Sequence, residues 1–179
     1  MQQSLLVQLK QELNLPDLSP LHRIDRETAG LVLFSVRAQD RNAYQEQFRL
    51  RQVQKTYEAI ADAPASSKQK LQFPITYRSM MVTDAQFFKM RELAATECDP
   101  SNPFNSETWI DCVERLVTKT SNQEADQETK ERTSQALARY ILKPVTGQRH
   151  QLRVHMNALG LPILGDRFYP HVKYLASEK

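Results

Sequence analysis

The 179-residue sequence is poor in cysteine and glycine and contains no long apolar run. Its two cysteines, Cys98 and Cys112, stand alone, which argues against a disulfide framework or a zinc finger and favours a reducing compartment. The sequence contains no run of about 18 apolar residues, the length needed to span a bilayer. Its first residues lack the basic segment followed by an apolar segment that is typical of a secretory leader. The four glycines form neither a G-x-G-x-x-G loop nor a P-loop. The sequence therefore predicts a cytoplasmic protein with no membrane span and no cofactor.

An excess of one charge sign is also missing. Lysine and arginine total 24 against 21 acidic residues, a net charge of +3, which is too weak to coat nucleic acid but allows a local basic surface. Hydrophobic residues make up 40% and charged residues 25%, close to the average of globular proteins, so the chain should fold. Its length predicts one domain over residues 1–179. The sequence does not fix the oligomeric state, and we expect a monomer. Between residues 22 and 55 basic residues outnumber acidic ones: Arg23, Arg26, Arg37, Arg41, Arg49, Arg51 and Lys55.

Hydrophobic periodicity predicts an alternation of helices and strands. Helices are expected at 4–13, 39–50 and 148–159, and strands at 31–36, 53–61, 73–82, 85–93, 108–117 and 136–145. The last helix is predicted to be capped by Thr146 and to end at Gly160, with Leu152, Met156 and Leu159 forming its apolar stripe. The polar segment 120–134 is predicted to be a mobile loop.

One aspartate, Asp25, lies between Arg23 and Arg26 just before the apolar run 31–36. Neighbouring cations favour the ionised carboxylate, which suits a nucleophile better than a general acid. The alternative is a structural ion pair in a loop, and the stretch alone does not choose between the two.

Two other kinds of site could use some of the same residues. His150 and His155 are five apart, so on a helix their side chains diverge by about 140°, which argues against a metal site. A glycosidase would need a second carboxylate beside Asp25, and the residues available are Glu27, Glu58 and Asp166. No spacing favours that arrangement.

An aromatic residue and two arginines also allow two interpretations. Tyr57 lies on a predicted strand, where it could belong to the core or form a stacking platform for an RNA base. Arg149 and Arg153 are four apart and would share one face of the predicted helix, either as a solvated face or as phosphate contacts.

Taken together, three segments resemble one family, the RluA class of pseudouridine synthases. HRIDRETAGLVLF at 22–34 is similar to the first motif of that class, H-R-L-D-x-x-T-S-G-L. KTYEAI at 55–60 is similar to the second motif, K-x-Y-x-A, and 142–169 to the third motif and the segment after it. The resemblance implies an α+β catalytic fold with a mixed, mostly antiparallel sheet, flanking helices and a central active-site cleft.

The resemblance also implies a role for each matched residue. Asp25 matches the catalytic aspartate, Tyr57 the tyrosine that stacks on the flipped uracil, and Arg153 the arginine that pairs with the aspartate. Leu142 falls where the family lines the uracil pocket. The residues predicted to contact RNA are Arg23, which would fill the gap left by the flipped base, Arg26, Arg149 and His150.

Two departures from the family pattern are visible. The third motif usually reads T-G-R-x-H-Q, whereas Gln148 replaces the first arginine here. The sequence also begins about twenty residues before the first motif and stops soon after Tyr169, so we expect a catalytic domain trimmed at both ends. The leading hypothesis is an isomerase that converts uridine to pseudouridine in ribosomal or transfer RNA, and the alternative is an inactive RNA-binding module on the same scaffold.

Overall fold

A computed structural model of the chain describes residues 4–64, 71–85, 89–116 and 136–171. The chain divides into two compact units, Met1–Gln54 and Lys55–Lys179, which we call the N-terminal and the C-terminal unit. The loop predicted at 120–134 lies outside the described residues.

Helices supply most of the regular secondary structure in the described part of the N-terminal unit. Its helices and strands are α1 (Leu5–Glu12), β1 (Ser19–Pro20), β2 (Phe34–Ser35), a short 3₁₀ helix (Ala38–Asp40) and α2 (Arg41–Arg49). The side chain of Ser4 caps α1 by accepting a hydrogen bond from the Val7 N–H, at 3.4 Å. Both predicted helices are confirmed.

The strand predicted at 31–36 is shorter in the structure, and the segment is not buried throughout. Only Phe34 and Ser35 pair, antiparallel, with Pro20 and Ser19, and the Leu31 side chain is 87% exposed. Pro20 has no backbone N–H to donate, which limits the number of hydrogen bonds that β1 can form with β2. An apolar run therefore did not guarantee a buried strand.

A four-stranded sheet forms the centre of the C-terminal unit. The elements are β3 (Tyr57–Asp62), β4 (Ile75–Ser79), β5 (Met81–Thr83), β6 (Met90–Glu92), a 3₁₀ helix (Ala95–Glu97), β7 (Ser106–Leu116), β8 (Leu137–Pro144) and α3 (Gln151–Ala158). The sheet order is β3-β8-β7-β4, and β5 and β6 form a separate hairpin. Every pairing between the described strands is antiparallel, as predicted for most of the sheet.

The core lies between one face of this sheet and α3. Its fully buried side chains include Tyr140, Ile110, Leu142 and Met156, each no more than 1% exposed. Burying a side chain of this size stabilises the fold by roughly 1.5–3 kcal/mol. A second apolar cluster joins the β5–β6 hairpin to Val154 and Tyr169.

The helix predicted at 148–159 starts three residues later than expected. His150 adopts a left-handed conformation, with φ 56°, and α3 begins at Gln151, so Thr146 is not its cap. Arg149 consequently lies in the turn before the helix and does not share a helical face with Arg153. The reason is competition from a distant strand: the Thr146 hydroxyl accepts a hydrogen bond from the Glu107 N–H at 2.9 Å, which holds Thr146 against the sheet.

The predicted end of this helix is confirmed. Gly160 has φ 72°, and its N–H donates to the Asn157 carbonyl at 2.9 Å. The Leu161 N–H donates to the Met156 carbonyl at 2.9 Å, completing a Schellman motif. Among the described helices, none is long and apolar enough to cross a membrane.

Candidate active site

The first motif forms a tight loop in the N-terminal unit. The Asp25 carbonyl accepts a hydrogen bond from the Thr28 N–H at 3.0 Å, and the Asp25 side chain is half-buried. Arg23 and Arg26, on either side of it, are exposed. The loop thus holds an aspartate between two arginines that reach solvent.

A histidine fixes the start of this loop. His22 accepts a hydrogen bond at Nε2 from the Leu33 N–H at 3.1 Å, and its ring stacks on Phe48 with a centroid distance of 5.0 Å. These contacts tie the residues before Asp25 to β2 and α2. The first motif therefore supplies both the carboxylate and the anchor of its loop.

The second and third motifs meet in the C-terminal unit. Tyr57 lies directly opposite Leu142 in the antiparallel pair of β3 and β8, so the two side chains share a face of the sheet. Leu142 is 1% exposed, whereas Tyr57 is half-buried. The structure thus brings together the tyrosine and the apolar residue that the resemblance assigned to the uracil site.

Lys55, the first residue of the second motif, lies near the turn of the third. The Lys55 Nζ lies beside Gly147, at 3.6 Å from the point where the Cβ of any other residue at position 147 would be. Burial lowers the pKa of the Lys55 ammonium below its usual value. The Lys55 side chain therefore lies close to Gly147, in the segment that leads from β8 to α3.

Arg153 forms a buried, two-pronged ion pair with Asp166. Its Nε donates to Oδ2 at 2.7 Å and its Nη2 donates to Oδ1 at 2.8 Å. Burial raises the pKa of the Asp166 carboxyl, but the hydrogen bonds from Arg153, its charge and the N–H groups of Phe168 and Tyr169 outweigh this, so the pKa lies below its usual value. The pairing of Arg153 with Asp25 stays a prediction.

His150 and Arg149 occupy the turn that leads into α3. His150 Nδ1 lies 3.1 Å from the Tyr169 hydroxyl, and its ring stacks on Phe168 at 5.9 Å. Arg149 Nη2 donates to the Lys89 carbonyl at 3.3 Å. The left-handed backbone of His150 is a conformation that non-glycine residues rarely adopt, and such strain concentrates at functional sites.

The sequence suggests no role for His155 except as a metal ligand, whereas the structure buries it within a network of hydrogen bonds. The Ser106 hydroxyl donates to the Ser79 carbonyl at 2.7 Å, so its oxygen accepts from His155 Nε2–H at 2.9 Å. His155 Nδ1 then accepts from the Thr108 hydroxyl at 2.9 Å, whose oxygen accepts from the Gln151 amide at 2.9 Å. Burial lowers the pKa of His155 to about 4, so its imidazole is neutral at pH 7.

Other kinds of chemistry receive little support from the described residues. Two of the carboxylates considered as glycosidase partners are in ion pairs: Asp166 with Arg153, and Glu58 with Arg139 at 3.1 Å. No group of three or more histidine, cysteine, aspartate or glutamate side chains that could hold a metal ion occurs in the described ranges.

The fold and the three motifs define a domain of the RNA pseudouridylate synthase kind. The family model described as RNA pseudouridylate synthase matches residues 2–158. The chain belongs to this family, and its relatives place it in the RluA class.

Named relatives agree with this assignment. The chain is 30% identical over 157 residues to the dual-specificity RNA pseudouridine synthase RluA of Escherichia coli (strain K12), an alignment covering 86% of this chain and 58% of the relative. It is 32% identical over 156 residues to tRNA pseudouridine synthase C of Pasteurella multocida, covering 84% and 55%. The chain therefore spans just over half the length of the curated relatives it matches.

Solved structures confirm the fold class. Human RNA Pseudouridylate Synthase Domain Containing 1 superposes with a TM-score of 0.67 at 23% identity, covering 89% of this chain and 58% of the human one. Human RNA Pseudouridylate Synthase Domain Containing 4 gives a TM-score of 0.62 at 24% identity, covering 92% and 57%. At this identity the likeness supports the fold alone, and it confirms the predicted α+β architecture.

Proposed function

We propose that the chain isomerises uridine to pseudouridine in ribosomal or transfer RNA. The observation that carries the proposal is the pairing of Tyr57 with Leu142 across β3 and β8, because it places a half-buried aromatic side chain beside a buried apolar one from a separate motif. Such a pair suits a flipped uracil, whose π-face stacks on an aromatic ring.

The reaction exchanges one bond to the ribose for another. The N1–C1′ bond of uridine breaks, the base turns within the site, C5 bonds to C1′, and the proton on C5 is lost while N1 gains one. No electron donor or group donor enters this balance. Asp25 either attacks C1′ or removes the C2′ proton, and a kinetic isotope effect with deuterium at C2′ would separate the two routes.

The other predicted residues serve binding in this proposal. Arg23 fills the gap left by the flipped base, which offsets the few kcal/mol that unstacking costs. Arg26, Arg149 and His150 contact the RNA backbone, since arginine donors suit phosphate oxygens. The protein acts as a monomer in the cytoplasm, and sedimentation of the purified protein checks the monomer.

The test is tritium release from RNA labelled at uridine C5, prepared from cells that lack the enzyme. The wild-type protein should release tritium, and Asp25→Asn should release none while circular dichroism confirms its fold. RNA binding should survive in Asp25→Asn. A folded wild-type protein that binds RNA but releases no tritium would overturn the proposal and support a module that only binds RNA.

A further inference from the structure

Lys55 is a half-buried cation that no acidic side chain neutralises within the part of the chain that the structure describes. The two other described lysines of the C-terminal unit each lie over an aromatic ring. Lys89 Nζ is 5.1 Å from the Tyr169 ring centroid. Lys143 Nζ is 4.6 Å from the Trp109 ring centroid. A charge that is withdrawn from water without a partner is unfavourable, so the Lys55 ammonium is suited to receive an anion from outside the chain.

The space beside this ammonium is open because residue 147 is a glycine. A Cβ at position 147 would come within 4 Å of only one described atom beyond its chain neighbours, Lys55 Nζ. The backbone of Gly147 is not in the left-handed region, so its conformation does not require a glycine. Gly147 is exposed, and within the described chain its N–H donates to no backbone carbonyl. An ammonium and an exposed peptide N–H thus lie side by side, with no side chain at position 147 to fill the space.

Lys55 belongs to the same face of the chain as Tyr57. Burial alternates from Lys55 to Ala59, with the odd-numbered residues buried or half-buried and the even-numbered ones exposed. This alternation is that of an extended strand, in which residues i and i+2 share a face about 6.6 Å apart. Leu142 lies opposite Tyr57 on the neighbouring strand, and the chain runs on from there to Gly147. Lys55 and Gly147 therefore meet at the same end of the β3–β8 pair, next to Tyr57.

The charges of the surrounding segments also favour an anion. Residues 143–153 contain three basic residues and no acidic one. Two acidic residues of the neighbouring strands are already paired elsewhere. Glu58 binds Arg139 at 3.1 Å. Glu107 binds Arg78 at 2.9 Å. The anion that Lys55 lacks is therefore expected from a ligand.

We propose that Lys55 and the Gly147 N–H form a subsite for a backbone phosphate of the RNA, beside the uracil that stacks on Tyr57. This inference rests on the proposed function, in which Tyr57 receives the flipped base. One ribose separates a base from its phosphate, so a nucleotide whose base lies on Tyr57 extends its backbone over the adjacent surface. The subsite binds phosphate oxygens through one charged and one neutral donor, and such contacts fix the register of a nucleic acid.

The test is a salt titration of RNA binding with unmodified RNA from cells that lack the enzyme. Loss of one phosphate contact should reduce the slope of log K against log salt concentration by about 0.7. Lys55→Gln should show this reduction, and at low salt it should bind about 10-fold more weakly, because a charge-assisted hydrogen bond is lost. Lys143→Gln is the matched control, since it removes the same charge from an exposed side chain on the other face of the sheet. Its slope and Kd should be those of wild type.

Gly147→Ala is a second variant that keeps every charge. Its methyl group would contact the ammonium at an ordinary distance and its backbone is unstrained, so the protein should fold. Because the methyl group fills the space that the phosphate would occupy, binding should weaken by a factor similar to that of Lys55→Gln. In a Lys55→Gln background the same change should alter Kd by no more than about twofold, since both changes act on one subsite.

A Kd within about twofold of wild type and an unchanged slope in Lys55→Gln, folded by circular dichroism, would overturn the inference and leave the proposed function standing. Weaker binding with an unchanged slope would overturn it as well, because Lys55 would then contact an uncharged group such as a uracil carbonyl. If Lys55→Gln fails to fold, an unchanged Kd in folded Gly147→Ala would overturn it. Absence of tritium release from folded wild type would overturn the proposed function, whereas the slope, measured on binding alone, would still decide the phosphate contact.

Discussion

At the scale of single residues, the two arginines of the third motif are constrained to very different degrees. Arg153 is 8% exposed and bound through two donors to one carboxylate. Arg149 is half-buried, and among the described residues its side chain donates to the Lys89 carbonyl at 3.3 Å. A side chain held by two short charge-assisted bonds suits a task that requires fixed geometry, whereas Arg149 can adjust to an RNA backbone.

Tyr57 provides the residue-scale prediction. Tyr57→Phe should keep RNA binding within about twofold, because the stacking face remains, and should lower turnover by about 100-fold or more if the hydroxyl takes part in proton transfer at C5. Tritium release and a filter-binding Kd measure the two effects. The exposed Tyr44→Phe is the control, and full turnover in Tyr57→Phe would exclude the hydroxyl from the reaction.

At the scale of elements, helix α3 is fixed to the sheet by polar contacts as well as by its apolar stripe. His155 reaches β4 and β7 through the hydroxyls of Ser79, Ser106 and Thr108, and Gln151 donates to the Glu107 carbonyl at 2.9 Å. These polar side chains reach their hydrogen-bond partners only when the helix lies at one position along the sheet. The network therefore contributes to the placement of every residue on α3.

The same histidine makes the stability of the fold depend on pH. Its pKa is about 4 when folded, below the unfolded value near 6.5, so between these values the unfolded chain binds a proton that the folded protein does not. The contribution is fully present above pH 6.5 and is lost as the pH falls towards 4. Between pH 7 and pH 5 the free energy of unfolding should drop by about 2 kcal/mol on this account.

Urea unfolding at pH 5, 6 and 7 measures this effect against two variants. His155→Gln should lose the histidine's share of the slope, although it is less stable at every pH. The exposed His171→Gln should keep the wild-type slope. Equal slopes in wild type and His155→Gln would contradict the assignment of a neutral, buried imidazole.

At the scale of the whole molecule, the small net charge of +3 leaves RNA binding to a few local cations. The predicted contacts come from both units, with Arg23 and Arg26 in the N-terminal unit and Arg149 and His150 in the C-terminal unit. Affinity for RNA should therefore weaken with salt in proportion to a small number of phosphate contacts.

Salt titration of RNA binding tests this distribution of charge. Arg23→Gln and Arg149→Gln should each reduce the slope of log K against log salt concentration by up to about 0.7, the value for one phosphate of a single strand. Arg139→Gln should leave the slope unchanged, because Arg139 already pairs with Glu58 and Glu114. An unchanged slope in both test variants would rule out their phosphate contacts.

Helix α3 illustrates how far local sequence signals reach. Its end was predictable because the apolar stripe, Gly160 and Pro162 act within one or two turns. Its start was not, because the Thr146 hydroxyl could either cap the helix or contact the Glu107 N–H, and Glu107 lies on a strand far away in the chain. A local signal fails where a distant backbone group competes for the same hydroxyl.

The sequence by itself predicted most of the helices and strands, because periodicity and caps are properties of neighbouring residues, and it carried the three motifs whose resemblance to one family implied the α+β class. Only the tertiary structure decided that Leu142 faces Tyr57 and that Asp166, first considered as a glycosidase carboxylate, holds Arg153. Strand register and the choice of an ion-pair partner depend on which distant segments pack together, and no spacing along the chain encodes that choice.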